Sequence, residues 1–265
     1  MVNDGEMCII LLSGFRAERR PPADKLECIG DWASAVVENV ERSRRKFLGT
    51  SAAGLVSAAS SDFFFDPNLH AQSTLTPDEA LKALMDGNDR FSSGRLASFE
   101  HDLKLLKEHN AERQEPFSAV LSCADSRVPV ELIFDQTIGH IFVTRVAGNV
   151  VTPELIASLE YGAAVLGTKV ILVLGHTDCG AVKAVIQGKQ PPGQVSALYP
   201  HIQPAIDVAG SNPDAVAKTN AEIQARLLRE SSPVIRPMVK ENKLKVLSGI
   251  YNIATGKVTL TSLSW

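Results

Sequence analysis

Two short apolar runs of the sequence are each followed by side chains that bind metals or transfer protons. Residues 117–122 precede Cys123, and residues 170–174 precede a segment that contains His176 and Cys179. Each run has the length and the apolar content that are typical of a buried strand. In an open parallel sheet, ligand-binding groups gather just past the carboxyl ends of the strands. We therefore expect Cys123, His176 and Cys179 to meet in space, although 53 positions separate the first two.

Two thiolates and one imidazole are three of the four ligands that zinc prefers, and a site with three protein ligands leaves a position open for water. Zinc lowers the pKa of such a water, so that a hydroxide nucleophile forms at neutral pH. Asp125 lies two residues after the first thiol, near enough to reach the water or the metal. Arg127 follows two residues later and can hold that carboxylate through two parallel hydrogen bonds. This spacing predicts a carboxylate that stays ionised and orients the nucleophile.

The composition is that of an ordinary globular protein, with 265 residues of which 45% are hydrophobic and 22% are charged. This length is enough for one hydrophobic core, or at most two. A net charge of -3 without a basic stripe argues against a nucleic-acid partner. There is no run of about 18 apolar residues, so we predict no membrane span. The four cysteines, Cys8, Cys28, Cys123 and Cys179, are too sparse for a disulfide-stapled scaffold.

Residues 1–71 are predicted to be an N-terminal extension that is cleaved or has no fixed structure, and residues 72–265 to be the folded domain. Residues 43–49 read Ser-Arg-Arg-Lys-Phe-Leu-Gly, which resembles a twin-arginine export signal, and a mild apolar stretch follows. Cleavage after Ala71 would complete the signal and release the protein into the periplasm. The alternative is a flexible basic tail. The 42 residues ahead of the signal indicate a start codon assigned too early, or an unstructured tail.

From residue 72 onward the pattern alternates between helices and strands. Thr76, Pro77 and Glu79 form a helix start, and a second amphipathic helix is predicted over 100–112. These two helices precede the first strand and could either wrap a partner subunit or pack on their own domain. The expected strands are 117–122, 141–146 and 170–174, and the expected helices are 130–134, 153–166, 178–188, 197–208, 213–230 and 232–241. Two last strands, 245–253 and 257–263, complete the domain.

This order predicts an α/β fold with a mainly parallel central sheet flanked by helices. The two leading helices form an N-terminal helical arm, and the last two strands form a C-terminal hairpin at the sheet edge. No internal repeat and no second domain are expected.

Five segments resemble motifs of the β-class carbonic anhydrases, and the resemblance extends from about residue 74 to the C-terminus. They are residues 84–91 (Leu-Met-Asp-Gly-Asn-Asp-Arg-Phe), 123–127 (Cys-Ala-Asp-Ser-Arg), 142–149 (Phe-Val-Thr-Arg-Val-Ala-Gly-Asn), 158–162 (Ser-Leu-Glu-Tyr-Gly) and 175–180 (Gly-His-Thr-Asp-Cys-Gly). The resemblance implies an enzyme that interconverts CO2 and bicarbonate through zinc-bound hydroxide. It implies one Zn2+ per subunit, held by Cys123, His176 and Cys179. It also implies a homodimer or a higher homo-oligomer, with the sites near the subunit interface.

The resemblance further implies two states of Asp125. In one state the carboxylate pairs with Arg127 and leaves water on the zinc, and in the other Asp125 itself binds the metal as a fourth ligand. The plant-like group of the family carries a Gln nine residues before the first Cys, which Gln114 matches here. This match favours the open, water-bearing state.

The substrate-binding residues are also carried over from the family. The Gln114 amide would donate a hydrogen bond to a substrate oxygen, and Phe142, Ala147, Tyr161 and Gly180 would line the pocket for CO2. Ala147 stands where the family has Val, which widens the apolar wall. Tyr161 lies on a predicted helix, where packing in the core is an equally good interpretation.

Several alternatives remain. The same hydroxide on the same fold could hydrolyse carbon disulfide or carbonyl sulfide. A zinc-binding protein without turnover is a second alternative, although storage of zinc would not need an orienting pair such as Asp125 and Arg127, which could also be a purely structural ion pair. A disulfide between Cys123 and Cys179 is a third, but it would leave His176 without a role.

Overall fold

A five-stranded sheet is the centre of the part of the chain that the structure, a computed structural model, describes: residues 73–98, 114–188 and 192–261. The strands are β1 (Ser118–Ser122), β2 (Ile141–Arg145), β3 (Val170–His176), β4 (Lys245–Tyr251) and β5 (Val258–Thr261). Their order across the sheet is β2-β1-β3-β4-β5. All neighbouring pairs are parallel except β4 and β5, which are antiparallel. The predicted mainly parallel sheet with a C-terminal edge hairpin is confirmed.

Seven α-helices connect and cover these strands within the described residues. They are α1 (Pro77–Ser92), α2 (Val130–Ile133), α3 (Pro153–Ala164), α4 (Gly180–Ile186), α5 (Tyr199–Ala209), α6 (Pro213–Ser231) and α7 (Ile235–Lys240), with 3₁₀ turns at Ala147–Asn149 and Gly193–Leu198. None of these helices is both long and apolar enough to span a bilayer. The extension at 1–71, the predicted helix at 100–112 and the last residues of the hairpin lie outside the described residues.

The two central strands are buried along their whole length. Every residue of β1 and β3 is buried, because helices cover both faces of a parallel sheet and its inner strands meet no water. On one face Leu172 packs in a cluster with Leu84 of α1 and Phe134 at the end of α2. On the other face Ile171 packs in a cluster with Leu159 of α3. The short apolar runs of the sequence therefore form the inner strands that carry the site.

Helix α1 packs on its own domain. It begins with a capping box, in which the Thr76 N–H donates to Glu79 Oε2 at 2.8 Å and the Glu79 N–H donates to Thr76 Oγ1 at 3.3 Å. Near its other end the buried Asn88 amide donates to the carbonyls of Ile133, at 3.1 Å, and Gly256, at 2.9 Å. The first of the two predicted arm helices is thus tied to α2 and to the C-terminal hairpin.

The strand and helix boundaries around the site differ from the prediction. The sequence pattern ended β3 at Leu174 and began the next helix near Asp178, whereas β3 continues to His176, which pairs with Tyr251 of β4. Asp178 has φ of 60°, a left-handed conformation that cannot start a helix, so α4 begins at Gly180. The histidine therefore stands on the rigid end of a strand.

Smaller differences follow from local capping. Helix α7 begins at Ile235 rather than at residue 232, because Ser232 Oγ accepts the backbone N–H groups of Val234 and Ile235 at 3.2 Å and 2.9 Å. Strand β4 ends at Tyr251 rather than at residue 253, because Asn252 Oδ1 accepts two following backbone N–H groups and closes the turn. Helix α3 ends at Ala164 and strand β2 at Arg145, one or two residues early.

Candidate metal centre

The carboxyl ends of β1 and β3 bring three metal-binding side chains together. Ser122 and Leu174 are register partners, so Cys123 and His176 lie at the same edge of the sheet. Cys179 directly precedes α4 and joins them. The ligand atoms of the three residues lie within 4.8 Å of one another, and the exposed fractions of the residues are 4%, 0% and 1%. The predicted convergence of Cys123, His176 and Cys179 is confirmed.

The histidine offers one nitrogen to this cluster. Its Nδ1 lies 2.9 Å from the carbonyl oxygen of Thr177, which identifies Nδ1 as the protonated nitrogen. Nε2 is buried without a hydrogen-bond partner, and such buried polar atoms are rare in folded proteins. Burial acts to lower the pKa of His176, but the adjacent Cys123 sulfur outweighs burial and raises that pKa. Two sulfurs and a buried imidazole nitrogen with a free lone pair fit Zn2+.

The two buried cysteine thiols shift each other's pKa in opposite directions. The adjacent Cys179 thiol, helped by the Gly148 N–H at 3.3 Å from Cys123 Sγ, lowers the pKa of Cys123, although burial opposes this shift. The adjacent Cys123 sulfur and burial raise the pKa of Cys179. A divalent cation would displace the remaining thiol proton and make both sulfurs anionic ligands. Both cysteines are free thiols, so the alternative of a disulfide does not hold in this structure.

A carboxylate paired with a guanidinium lies beside the cluster. Arg127 donates to Asp125 through Nε at 3.0 Å, through Nη2 at 2.8 Å and through its backbone N–H at 2.9 Å. The hydrogen bonds from Arg127 hold the pKa of Asp125 well below its ordinary value. Asp125 Oδ2 is 3.9 Å from His176 Nε2, so the carboxylate reaches the ligand cluster while it remains bound to arginine. This is the paired arrangement of the two that the sequence resemblance implies.

The sequence did not indicate that Arg127 is held from a second side. Its Nη1 lies 3.1 Å from Asp178 Oδ2, and its Nη2 donates to the Asp178 carbonyl at 3.2 Å. Lys183 binds the same aspartate, and its hydrogen bond, followed by that of Arg127, lowers the pKa of Asp178. The Asp178 N–H in turn donates to Asp214 Oδ1 at 3.1 Å. The only sequence signal for this role is the position of Asp178 between two ligands.

A second arginine holds the backbone of the first ligand loop. Arg145, at the end of β2, donates through Nε to the Cys123 carbonyl at 3.0 Å and through Nη2 to the Asp125 carbonyl at 2.5 Å. Arg145 lies in one of the segments that resemble the family, but its side chain was not among the predicted site residues. Because it binds two carbonyls of one loop, it fixes the direction in which Cys123 and Asp125 leave β1.

Two of the predicted substrate-binding residues lie next to the ligands. Ala147 is the first residue of the 3₁₀ turn Ala147–Asn149. The second residue of that turn, Gly148, donates its N–H to Cys123 Sγ. Gly180 follows Cys179 at the start of α4, is exposed, and a Cβ there would meet no atom within 4 Å. Gly180 therefore leaves open space next to Cys179.

The other three predicted substrate-binding residues lie away from the ligands of the same chain. Phe142 on β2 and Tyr161 on α3 have ring centroids 6.2 Å apart, and Tyr161 is 42% exposed, so it is not a core residue. Phe142 precedes Arg145, the end of β2, by three residues, or about 10 Å at the rise of a strand. Gln114 is exposed and precedes the amino end of β1, a strand of about 16 Å.

The comparisons with known proteins agree with this geometry. The family model for carbonic anhydrase matches residues 118–258. Carbonic anhydrase 2 of Mycobacterium tuberculosis is 33% identical over 196 residues, which cover 69% of this chain and 92% of that protein.

Two solved structures are similar in fold. The β-carbonic anhydrase of Coccomyxa has a TM-score of 0.53 and 26% identity, covering 68% of this chain and 85% of that one. A tetrameric β-carbonic anhydrase of Sordaria macrospora has a TM-score of 0.54 and 22% identity, covering 71% of this chain and 98% of that one. The family model, the mycobacterial relative and the shared fold together show that this chain belongs to the β-class carbonic anhydrase family.

Proposed function

We propose that this protein is a zinc enzyme that interconverts CO2 and bicarbonate, with release of a proton in the hydration direction. The observation that carries this proposal is the buried group of Cys123, His176 and Cys179 with the Asp125–Arg127 pair beside it. A site that only stored zinc would not need an ionised carboxylate held next to the metal ligands.

One Zn2+ per subunit would be held by Cys123 Sγ, Cys179 Sγ and His176 Nε2. When bound there, zinc is a Lewis acid that lowers the pKa of a coordinated water to about 7, a value that holds for carbonic anhydrases with other ligands. Two thiolates and a neutral imidazole balance the charge of the metal, and burial of all three ligands excludes competing water from their side of the site.

Asp125 acts on the attacking oxygen. Because Arg127 keeps its pKa low, Asp125 is ionised at neutral pH and can accept hydrogen bonds but not donate them. Asp125 would therefore accept the hydrogen bond of an attacking water or hydroxide and would leave the lone pair of that oxygen free for the carbon of CO2. Arg127 and Arg145 hold the side chain and the backbone of Asp125, so this orientation exists before substrate arrives.

The substrate pocket is proposed to be completed by a second copy of the chain. Gln114, Phe142 and Tyr161 do not line the cluster of their own subunit, yet Gln114 and Tyr161 are exposed. Strand β2 also lies at the edge of the sheet with one side unpaired by the described strands. A homodimer or higher homo-oligomer of the plant-like type could bring these residues to the site of the partner, and the Sordaria macrospora relative is a tetramer.

Export through the twin-arginine route is a separate proposal. It rests on Ser-Arg-Arg-Lys-Phe-Leu-Gly at residues 43–49. Fractionation of the producing cells, followed by N-terminal sequencing, tests it: a mature start near residue 72 in the periplasmic fraction supports export. A mature start well before residue 60 would contradict export. Export would also be contradicted if a variant with both Arg44 and Arg45 changed to Lys still reached the periplasm.

The proposed activity is tested by metal analysis together with stopped-flow CO2 hydration. We expect about one zinc per subunit and acceleration that disappears on removal of zinc. Cys179→Ser should lower zinc content and activity together, because a serine hydroxyl is a poor zinc ligand. Full zinc occupancy without hydration of CO2 would reject the proposal, and hydrolysis of carbon disulfide or carbonyl sulfide by the same sample would identify the alternative reaction.

A further inference from the structure

A chain of buried amide groups lies behind the metal ligands. Asn220 and Gln224, one turn apart on α6, have exposed fractions of 0% and 1%. Gln224 Nε2 donates to Asn220 Oδ1 at 3.2 Å and to the His201 carbonyl at 3.0 Å, and its Oε1 accepts the Val151 N–H at 2.8 Å. Asn220 Nδ2 donates to the Gly148 carbonyl at 2.8 Å. Both side chains are therefore hydrogen-bonded although they are shielded from water.

Gly148, whose carbonyl accepts the hydrogen bond from Asn220, also contacts one of the proposed metal ligands. Gly148 donates its N–H to Cys123 Sγ at 3.3 Å. It has φ of 76°, a left-handed conformation that favours glycine, and a Cβ at this position would lie 2.7 Å from Ile202 Cδ1, so any side chain here would be strained. Glycine has more freedom about its backbone bonds than any other residue. The direction of the Gly148 N–H therefore depends on the contact that fixes the carbonyl of the same residue.

We propose that Asn220, braced by Gln224, is a positioning residue for the metal centre. By holding the Gly148 carbonyl, Asn220 restrains the glycine so that its N–H stays directed at the Cys123 sulfur. This hydrogen bond orients the sulfur toward His176 and Cys179 and withdraws electron density from it, which is how partners behind the ligands tune metal sites. The inference rests on the proposed function in one respect, that Cys123 binds zinc.

The free-energy cost of burying two amide side chains on α6 indicates that Asn220 and Gln224 have a role beyond packing. Burial of an amide costs free energy unless each of its polar atoms is paired, and a leucine at either position would fill a similar volume without that requirement. The two amides instead connect α6 to the carbonyl of His201 on α5, the N–H of Val151 and the carbonyl of Gly148. Their contacts lead to the turn that binds Cys123.

Asn220→Leu in the full chain tests the proposal, with zinc affinity measured by competition with a chromophoric chelator. We expect zinc affinity to fall by about 10- to 100-fold, the usual effect of losing a partner behind a metal ligand. With Co2+ in place of zinc, the sulfur-to-cobalt absorption band should shift, because the hydrogen bond to the sulfur is weakened. Neither readout depends on turnover.

Asn88→Leu is the matched control. Asn88 is also buried, with an exposed fraction of 2%, and its side chain makes three hydrogen bonds to backbone groups, those of Ile133, Gly256 and Val258. Its loss should lower the unfolding temperature of the metal-free protein as Asn220→Leu does. It should leave zinc affinity within about twofold of the unmodified protein, because distant sites act independently.

Gln224→Met provides the second variant should Asn220→Leu fail to fold. It keeps the Asn220–Gly148 contact but removes the brace, so zinc affinity should fall in the same direction by a smaller factor, about 3- to 10-fold. Unchanged affinity and an unchanged cobalt spectrum in the variant that folds would overturn the inference alone. Failure of the unmodified protein to bind zinc would overturn the proposed function and this inference with it.

Discussion

Arg127 and Asp178 connect the two loops that carry the metal ligands. Arg127 follows the Cys123 loop, and Asp178 lies between His176 and Cys179 in the other. Their side chains approach to 3.1 Å, and Arg127 also donates to the Asp178 backbone carbonyl. The arginine that holds Asp125 is thereby anchored to both strands of the site, so its position depends on both loops.

Asp178→Asn should weaken this second anchor without destroying the site. We expect kcat for CO2 hydration to fall by about two- to tenfold at unchanged zinc content, because partly exposed ion pairs contribute little free energy and Asp125 still binds Arg127. Stopped-flow assays with metal analysis measure both quantities. Lys183→Gln is the control, since it removes the other partner of Asp178 and leaves both contacts of Arg127. Loss of zinc from Asp178→Asn would show that Asp178 instead maintains the ligand geometry.

Asp125→Asn should separate orientation from metal binding. The amide can donate a hydrogen bond where the carboxylate only accepts, so kcat/KM should fall by about 100-fold or more, as for removal of a positioned acid–base group. Zinc content should stay at the level of the unmodified protein because the three buried ligands remain.

The control for this change is Asp78→Asn. Asp78 also pairs with a basic residue, Lys245, but it is highly exposed at the start of α1. The Asp78→Asn substitution should therefore leave kcat/KM unchanged. If Asp125→Asn lost zinc as well as activity, Asp125 would be a ligand in the resting enzyme rather than a partner of Arg127.

The sequence was sufficient to predict the sheet and the convergence of Cys123, His176 and Cys179, because both depend on local patterns. The runs before Cys123 and His176 are short and apolar, and parallel strands bring the residues at their carboxyl ends to one edge of the sheet. A strand that is buried on both faces is a nearly continuous apolar run, so it can be recognised in the sequence without knowledge of its neighbours.

Asn220 and Gln224 could not be predicted in this way. On a helix that also contains Lys218, Glu222 and Arg226, two amides look like part of a solvated face. Their burial results from the packing of α6 on β3, β4 and the 3₁₀ turn, which are distant in sequence. The left-handed conformation of Asp178 was equally hidden: aspartate adopts it more readily than most residues, but the contacts with Arg127, Lys183 and Asp214 that accompany it depend on the fold.

A buried carboxylate away from the site gives a prediction for stability. Asp135 accepts hydrogen bonds from Arg90 Nε at 2.5 Å, the Ala97 N–H at 3.0 Å, and both the N–H and the hydroxyl of Ser98 at 3.0 Å and 2.8 Å. Burial acts to raise the pKa of Asp135, but the hydrogen bonds from Arg90, Ser98 and Ala97 outweigh it and hold the pKa below 3.8. Asp135→Asn should lower the free energy of unfolding at pH 7 by about 2 to 4 kcal/mol.

The pH dependence of that loss has a definite sign. A depressed pKa means that the native state favours the ionised form, so its stabilisation is complete above 3.8 and fades as pH falls through the lower native value. Urea unfolding from pH 7 to pH 3 should therefore show the two proteins converging only at the acid end. Asp86→Asn, which breaks the exposed Lys82–Asp86 pair, should cost less than about 0.5 kcal/mol throughout. Convergence already near pH 6 would mean that the carboxylate of Asp135 is not the stabilising form.

Gly87 in α1 should tolerate no side chain, although helix propensity alone favours alanine there by about 1 kcal/mol. A Cβ would lie 1.8 Å from the carbonyl oxygen of Phe134, a backbone atom that cannot move without shifting α2. Gly87→Ala should therefore destabilise the protein by about 1 to 3 kcal/mol in urea unfolding. At Gly162 in α3 a Cβ would lie 3.2 Å from the ring of Phe142, a side-chain contact and a looser one, so Gly162→Ala should cost clearly less than Gly87→Ala. Equal effects at the two positions would show that α1 can move away from α2, and that its close packing is not fixed by Gly87.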